Sequence, residues 1–313
     1  MPLSLRRGTV TGVLERHEGL VRLEVDGVPC VAYPGLTGPV ALDDEVVVNV
    51  QARGLGLGSG GFDILYVNLT RGLELAPQAG AHVMKLPYTP LQSAARHGEE
   101  EHEPAPSLNG LPVVCCSLHS QVAPVCAGLA GLRVAYVQLP GGALPVALSD
   151  TVRALKERGL LAVAVAADAC LAGDVQCVNV YSALAWCAAG GVDVAVCSIG
   201  PGIVGTATAL GHGGVAAAIA VNAAAALAGR PVLAPRVSGA DPRERHRGVS
   251  HHTRTVLDLC LAEPAVPDDL EPDGWREACE RLPLSHMGRG PDDDPAFFAA
   301  AYAAGRLARA LVA

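Results

Sequence analysis

Residues 160–200 read LLAVAVAADACLAGDVQCVNVYSALAWCAAGGVDVAVCSIG, and this stretch decides the fold. Two continuous apolar runs, LLAVAVAAD (160–168) and VDVAVCSIG (192–200), are short, rich in Val and bounded by Asp or Gly, as strands buried on both faces are. Between them VQCVNVYSALAWCAAGG (175–191) is long enough to be a helix crossing from one strand to the next. That unit is a parallel βαβ. The same alternation continues on either side, with strands expected at LPVVCCSL (111–118), LRVAYVQL (132–139) and RPVLAPRVS (230–238). Helices are expected over 121–131, 147–159 and 215–229, the second opened by Ser149 as N-cap. A last amphipathic helix is expected over 294–313, with Asp294 near its start. Residues 111–313 therefore predict a Rossmann-like, three-layer α/β domain with a mostly parallel sheet.

Upstream the pattern is β. From Gly8 to Leu69 the runs GTVTGVLER, GLVRLEVDG, VPCVAY, EVVVNVQ and FDILYVNL are Val-rich and separated by Gly, Pro and Asp-Asp turns. They predict a small N-terminal β-barrel or β-sandwich within a domain spanning 1–95. The glycine-rich GLGLGSGGFD (54–63) precedes a strand instead of a helix, so it reads as a hairpin tip more readily than as a phosphate-cradling loop. SAARHGEEEHEPAPSLNG (93–110) carries four glutamates and two prolines, and predicts an exposed linker or flap over 96–110.

Composition removes several function classes. The net charge is −8 and the only lysines are Lys85 and Lys156, which leaves no nucleic-acid footprint. No uninterrupted apolar run has membrane-spanning length, and 213–229 reads as a buried helix. MPLSLRRGTVTG has no apolar core of signal-peptide length, so a cytoplasmic protein is expected. The ten cysteines contain no C-x-x-C and sit mostly in apolar runs, as reduced, packed thiols do. Cys170, after Asp168 at a strand end, is the one kept as a candidate for chemistry.

In an open parallel sheet ligands bind beyond the carboxyl ends of the strands. The densest polar segment there is SGADPRERHRGVSHHTRT (238–255), directly after the 230–238 run. His251 and His252 are candidates for general acid/base work oriented by Asp241, with His246 a further catalytic candidate. Arg236, Arg243, Arg247 and Ser250, with Ser117 and His119 after the 111–118 strand, are candidates for holding phosphate or carboxylate. Gly200-Pro201-Gly202-Ile203-Val204-Gly205, followed by Thr206, is formally a G-x-G-x-x-G anion turn. As a dinucleotide fingerprint it is poor: it follows the fourth strand, Pro201 removes an N–H, and no acidic ribose partner follows. Tight packing is the alternative use of its glycines. His212 joins the site only if the next helix starts after it. A divalent metal on His246, His251 and His252 with Asp241 is a variant, and no cofactor is specified. A solvated, salt-bridged helix start is the alternative reading of 238–255.

The segments SLHSQ, GGALP, GPGIVGTATALGHGG, DPRERHRGVSHHT and MGRGPDDDPAFF together resemble a bacterial family known as a domain of unknown function. The resemblance runs over most of the chain and implies no reaction, substrate or cofactor. The expected function is a cytoplasmic enzyme or enzyme-like protein that binds a small anionic metabolite at the C-terminal end of its sheet. The alternative is a non-catalytic anion or nucleotide sensor, or an assembly module. Neither nucleic acid nor membrane is an expected partner, and the sequence leaves a homo-oligomer open.

Overall fold

A computed structural model describes residues 2–56, 61–101 and 103–312. Residues 57–60 of the glycine-rich stretch lie outside the described residues. The chain divides into two compact units, Met1–Ala95 and Arg96–Ala313.

The first unit is a closed barrel of five strands: β1 (Leu5–His17), β2 (Leu20–Val25), β3 (Val28–Ala32), β4 (Glu45–Asn49) and β5 (Asp63–Asn68), in the order β1-β2-β3-β5-β4. Only β3 and β5 run parallel. Closure removes sheet edges. Alternate residues such as Val46 and Val48, with Val10, Leu23, Val25 and Leu65, fill the interior. Two short helices, α1 (Pro34–Thr37) and α2 (Gln51–Gly54), connect strands, and a small hairpin, β6 (Val83–Lys85) with β7 (Ser93–Ala95), ends the unit.

The second unit is built on six parallel strands: β8 (Pro112–Cys116), β9 (Val134–Leu139), β10 (Val163–Ala166), β11 (Val175–Gln176), β12 (Val194–Ile199) and β13 (Arg230–Ala234). Their order is β11-β10-β9-β12-β8-β13. Alternation sends Val113 and Cys115 to one face and Val114 and Cys116 to the other. Helices α5 (Val180–Ala189) and α6 (Ala216–Ala226) cover the first face. Helices α3 (Val122–Gly128), α4 (Asp150–Glu157) and, further along the chain, α9 (Pro295–Ala310) cover the second. Both faces are buried, which is why the strands read as unbroken apolar runs. Two further helices, α7 (His251–Leu259) and α8 (Trp275–Ala278), and a hairpin of β14 (Val237–Ser238) with β15 (Gly248–Val249), complete the unit.

One expectation is corrected here. Residues 175–191 are not helical throughout: 175–176 form the edge strand β11, and α5 starts only after Asn179, whose side chain accepts the Ser182 N–H as an N-cap. Residues 96–110 are tied to the second unit at several points. His97 and Leu108 are buried, Glu99 accepts the Val178 N–H at 2.7 Å, and the Leu108 N–H bonds the Leu227 carbonyl at 2.7 Å. Gly98 lies so close to Trp186 and Val175 that no Cβ fits, so a glutamate-rich sequence is tied down by a few specific contacts. Asp294 stands at the start of α9, as expected, in the N-cap position, with its carboxylate accepting from Ser238 Oγ instead of from the helix. No helix among the described residues is long and apolar enough to cross a membrane.

Candidate functional site

The neighbours β12, β8 and β13 bring three loops together beyond their carboxyl ends. From β12 comes His212, from β8 Ser117, Ser120 and Gln121, and from β13 the long excursion through Arg236 and Asp241 to His252. Gln121 holds two of these loops in place: its Nε2 donates to the Ala234 and Pro235 carbonyls, and its Oε1 accepts the Leu118 N–H. The hairpin of β14 with β15 pinches the excursion so that it returns into α7. Ser250 caps that helix, accepting the His252 N–H. His251 and His252 therefore occupy its first turn.

Four imidazoles converge. His212 stacks on His252 with ring centres 3.7 Å apart, His251 lies 4.5 Å from His252, and His246 lies 4.8 Å from His251. His212 directly precedes a short 3-10 turn, Gly213–Val215, so α6 starts after it and the ring is free to join the site. Burial, and then the neighbouring positive charges and rings, push all four imidazoles below their ordinary pKa, His246 to about 3. Each is thus neutral at pH 7, with one N–H and one lone pair. His246 Nδ1 pairs with Ser250 Oγ at 2.7 Å. Among the described residues Nε2 of His251 has no hydrogen-bond partner, and neither ring nitrogen of the buried His212 makes a well-formed bond, with the Ala209 carbonyl close to one of them. Nitrogens of His212, His251 and His252 lie within 4.8 Å of one another, so these residues are the set able to hold a metal ion.

Beside the imidazoles lies a guanidinium cluster. Arg236 is 2% exposed; its Nη1 donates to His252 Nδ1 at 3.1 Å and its Nη2 to Asp241 at 3.3 Å, while its buried Nε–H has no partner. Burial, then the Arg243 charge, pulls its pKa down to about 10. Asp241 orients no histidine, contrary to expectation. Its carboxylate accepts from Arg243 N and Nε (3.0 and 2.9 Å) and from the Nη2 groups of Arg243, Arg236 and Arg289 (2.9, 3.3 and 3.3 Å). Burial acts to raise its pKa, but these bonds and charges hold the carboxyl well below the usual range. Arg289 and Asp294 belong to the same network: Arg289 Nε reaches Asp294, which also accepts from Ser238 Oγ and Gly239 N. His286, stacked on Phe297 and bonded to Ser120 Oγ, feels both Arg236 and Arg289, and burial with those charges lowers it to about 3. Sequence reasoning missed His286, Arg289 and Asp294. Their signal was the Gly-Arg-Gly-Pro-Asp run of MGRGPDDDPAFF, which has no apolar periodicity.

Other expected residues fall elsewhere. His119 turns towards β9 and β12: Nδ1 meets the Ile199 carbonyl at 3.2 Å and Nε2 meets Ser149 Oγ at 2.6 Å, and Ser149 caps α4. It ties the sheet to a helix and makes no ring contact with the other histidines. Ser117 is buried against Gln121 and Gly214, supporting His212 from below. The exposed Arg247 donates to the Asp241 carbonyl. The turn of Gly200, Gly202, Gly205 and Thr206 does not open a helix. Two of its N–H groups are spent within the loops, Val204 on Gly141 and Thr206 on Gly211. A Cβ at Gly142 would lie 2.2 Å from the Gly200 carbonyl, and one at Gly213 1.9 Å from that of Gly141. These glycines let backbone pack on backbone between β9 and β12. That is where the chain's direction across the sheet reverses and where a ligand crevice is ordinarily expected. The crevice is filled, and the polar cluster lies over β12, β8 and β13 instead. A separate cavity of about 450 Å³, between Trp275 and the start of α9, shares no lining residue with it.

The profile of one protein family, a protein of unknown function (DUF3866), matches residues 29–277. The chain is a member of the DUF3866 family. The matched span holds Arg236, Asp241 and all four converging histidines of this DUF3866 protein, and ends before His286, Arg289 and Asp294. A search of curated proteins gives no match.

Proposed function

We propose that the α/β unit of this DUF3866 protein binds a small oxyanion-bearing metabolite, a phosphate or carboxylate, against Arg236 and the neutral histidines. The observation that carries the reading is the Arg236 guanidinium, a buried charge whose Nε–H has no partner among the described residues. Burying such a donor is costly unless something accepts from it. Its surroundings favour an anion: Arg236, Arg243 and Arg289 face only Asp241 and Asp294, and the N-terminal end of α7 adds its partial positive charge. The neutral imidazoles beside it supply both proton donors and proton acceptors for acid/base chemistry on the bound molecule.

Calorimetric titration with phosphate and with malonate, at ionic strength fixed with chloride, tests the reading. Saturable binding is expected, lost in Arg236→Lys, weakened at least tenfold in Arg243→Gln and unchanged in Thr206→Val. Arg243 is partly exposed, so that variant remains informative if Arg236→Lys folds poorly. Absence of saturable binding by either anion, or binding lost in Thr206→Val and kept in both arginine variants, would reject it.

A further inference from the structure

We propose that His212, His251 and His252 form a binding site for a divalent first-row transition metal such as zinc. The inference goes beyond the anion reading: that reading is carried by the Arg236 Nε–H, this one by the gathered imidazole nitrogens of His212, His251 and His252. Three imidazoles from two separate segments, the loop after β12 and the first turn of α7, place ring nitrogens within 4.8 Å of one another. His212 is 7% exposed, and neither of its ring nitrogens makes a well-formed hydrogen bond, although the Ala209 carbonyl lies close enough to engage one N–H; Nε2 of His251 has no partner among the described residues. Buried polar atoms are otherwise almost always bonded, so lone pairs left free and gathered at one place call for a shared acceptor of electron density. An ion at about 2.0–2.1 Å from each nitrogen brings tetrahedral donors to about 3.4 Å apart. The widest pair has therefore only a little over an ångström to close, within reach of side-chain rotation.

The donor set decides the kind of metal. Imidazole nitrogen suits zinc, cobalt, nickel or copper; the carboxylate of the same excursion, Asp241, is taken by three arginines, and the donor set itself contains no oxygen for a hard ion such as magnesium or calcium. Adjacent histidines seldom share an ion, but His251 and His252 sit at a helix start with rings 4.5 Å apart and inclined at 72°, and His252 stacks directly on His212. The site is held from behind by Ser250, which caps α7, and by Gly213, packed on the Gly141 carbonyl.

Ligation has a chemical consequence for Arg236. A histidine bound to a metal presents a lone pair from one nitrogen and carries its proton on the other. Whichever nitrogen of His252 ligates, Nδ1 can no longer accept the 3.1 Å bond from Arg236 Nη1–H. Metal entry thus turns a second N–H of Arg236 loose beside the site, where an oxyanion can take it.

The test uses the full chain, stripped with a chelator and titrated with cobalt(II) chloride in phosphate-free buffer, reading the visible d–d bands, with zinc then competing the cobalt out. One equivalent per chain is expected, with at least a hundredfold loss of affinity in His212→Ala and in His251→Ala, and none in His17→Ala on the barrel. His251 is only partly buried, so its variant reports even if His212→Ala is unstable. Lack of a stoichiometric cobalt spectrum, or unchanged affinity in both variants, would overturn the proposal. Phosphate titration in excess chelator examines the anion reading separately, so either can fail alone.

Discussion

Asp241→Asn is expected to destabilise the α/β unit by about 3–5 kcal/mol while leaving its shape unaltered. Asparagine keeps one oxygen, enough for the Arg243 N and Nε bonds, but puts an NH2 donor where Oδ2 faced the Nη2 groups of Arg243, Arg236 and Arg289 at 2.9, 3.3 and 3.3 Å. Three charge-assisted hydrogen bonds are lost, each worth roughly 1.5–3 kcal/mol, and two of them are long enough to count at the low end. The sum agrees with the roughly 3–5 kcal/mol cost of leaving a buried charge unpaired, a large share of the about 5–15 kcal/mol that holds a domain together. Both tryptophans, Trp186 and Trp275, belong to this unit, so tryptophan fluorescence in urea follows its unfolding. Asp292→Asn is the control, because that carboxylate is 96% exposed although it also pairs with an arginine, Arg276, and its loss is expected to cost under about 0.5 kcal/mol. The Asp241 contribution is complete above its unfolded pKa of 3.8 and fades as pH falls below it, so wild type and variant should converge in acid. Equal midpoints for Asp241→Asn and Asp292→Asn at neutral pH would refute the counter-ion role.

Gly213→Ala would drive a Cβ to 1.9 Å from the Gly141 carbonyl, so it should cost more than about 2 kcal/mol and weaken whatever His212 binds. Gly239→Ala meets nothing within 4 Å and should stay within about 0.5 kcal/mol of wild type, both read by urea titration. His119 is held neutral in the fold with a pKa of about 4, against 6.5 for a free imidazole. The unfolded chain therefore binds the extra proton first, and stability falls as pH drops from about 6.5 to 4, by up to about 3 kcal/mol from this residue. His119→Gln should flatten that part of the pH–stability curve; an unchanged slope would mean the ring is not held neutral. Nine of the ten cysteines are buried and Cys260 is partly exposed, so a thiol reagent should titrate about one thiol in the native protein and all ten after denaturation under reducing conditions.

The amino-acid sequence by itself determined the layers of this protein. Strands buried on both faces must be apolar at every position, and strands that line a barrel must alternate, so the change of period near residue 100 separates the two architectures without reference to any contact. The polar ends of the apolar runs, and the crowding of His246, His251, His252 and Arg243 into one excursion, were legible for the same local reason. Strand order was not. Only the placing of β8 between β12 and β13 brings His212 onto His252, and the same order turns His119 aside to β9 and α4. Nor could the pattern tell that Asp241 serves three arginines instead of a histidine, or that Arg289, 48 residues from Asp241, and Asp294, 55 residues from Gly239, close the network. Hydrogen-bond partners are settled by distances between segments that fold separately and meet late, and such distances leave no period in the chain.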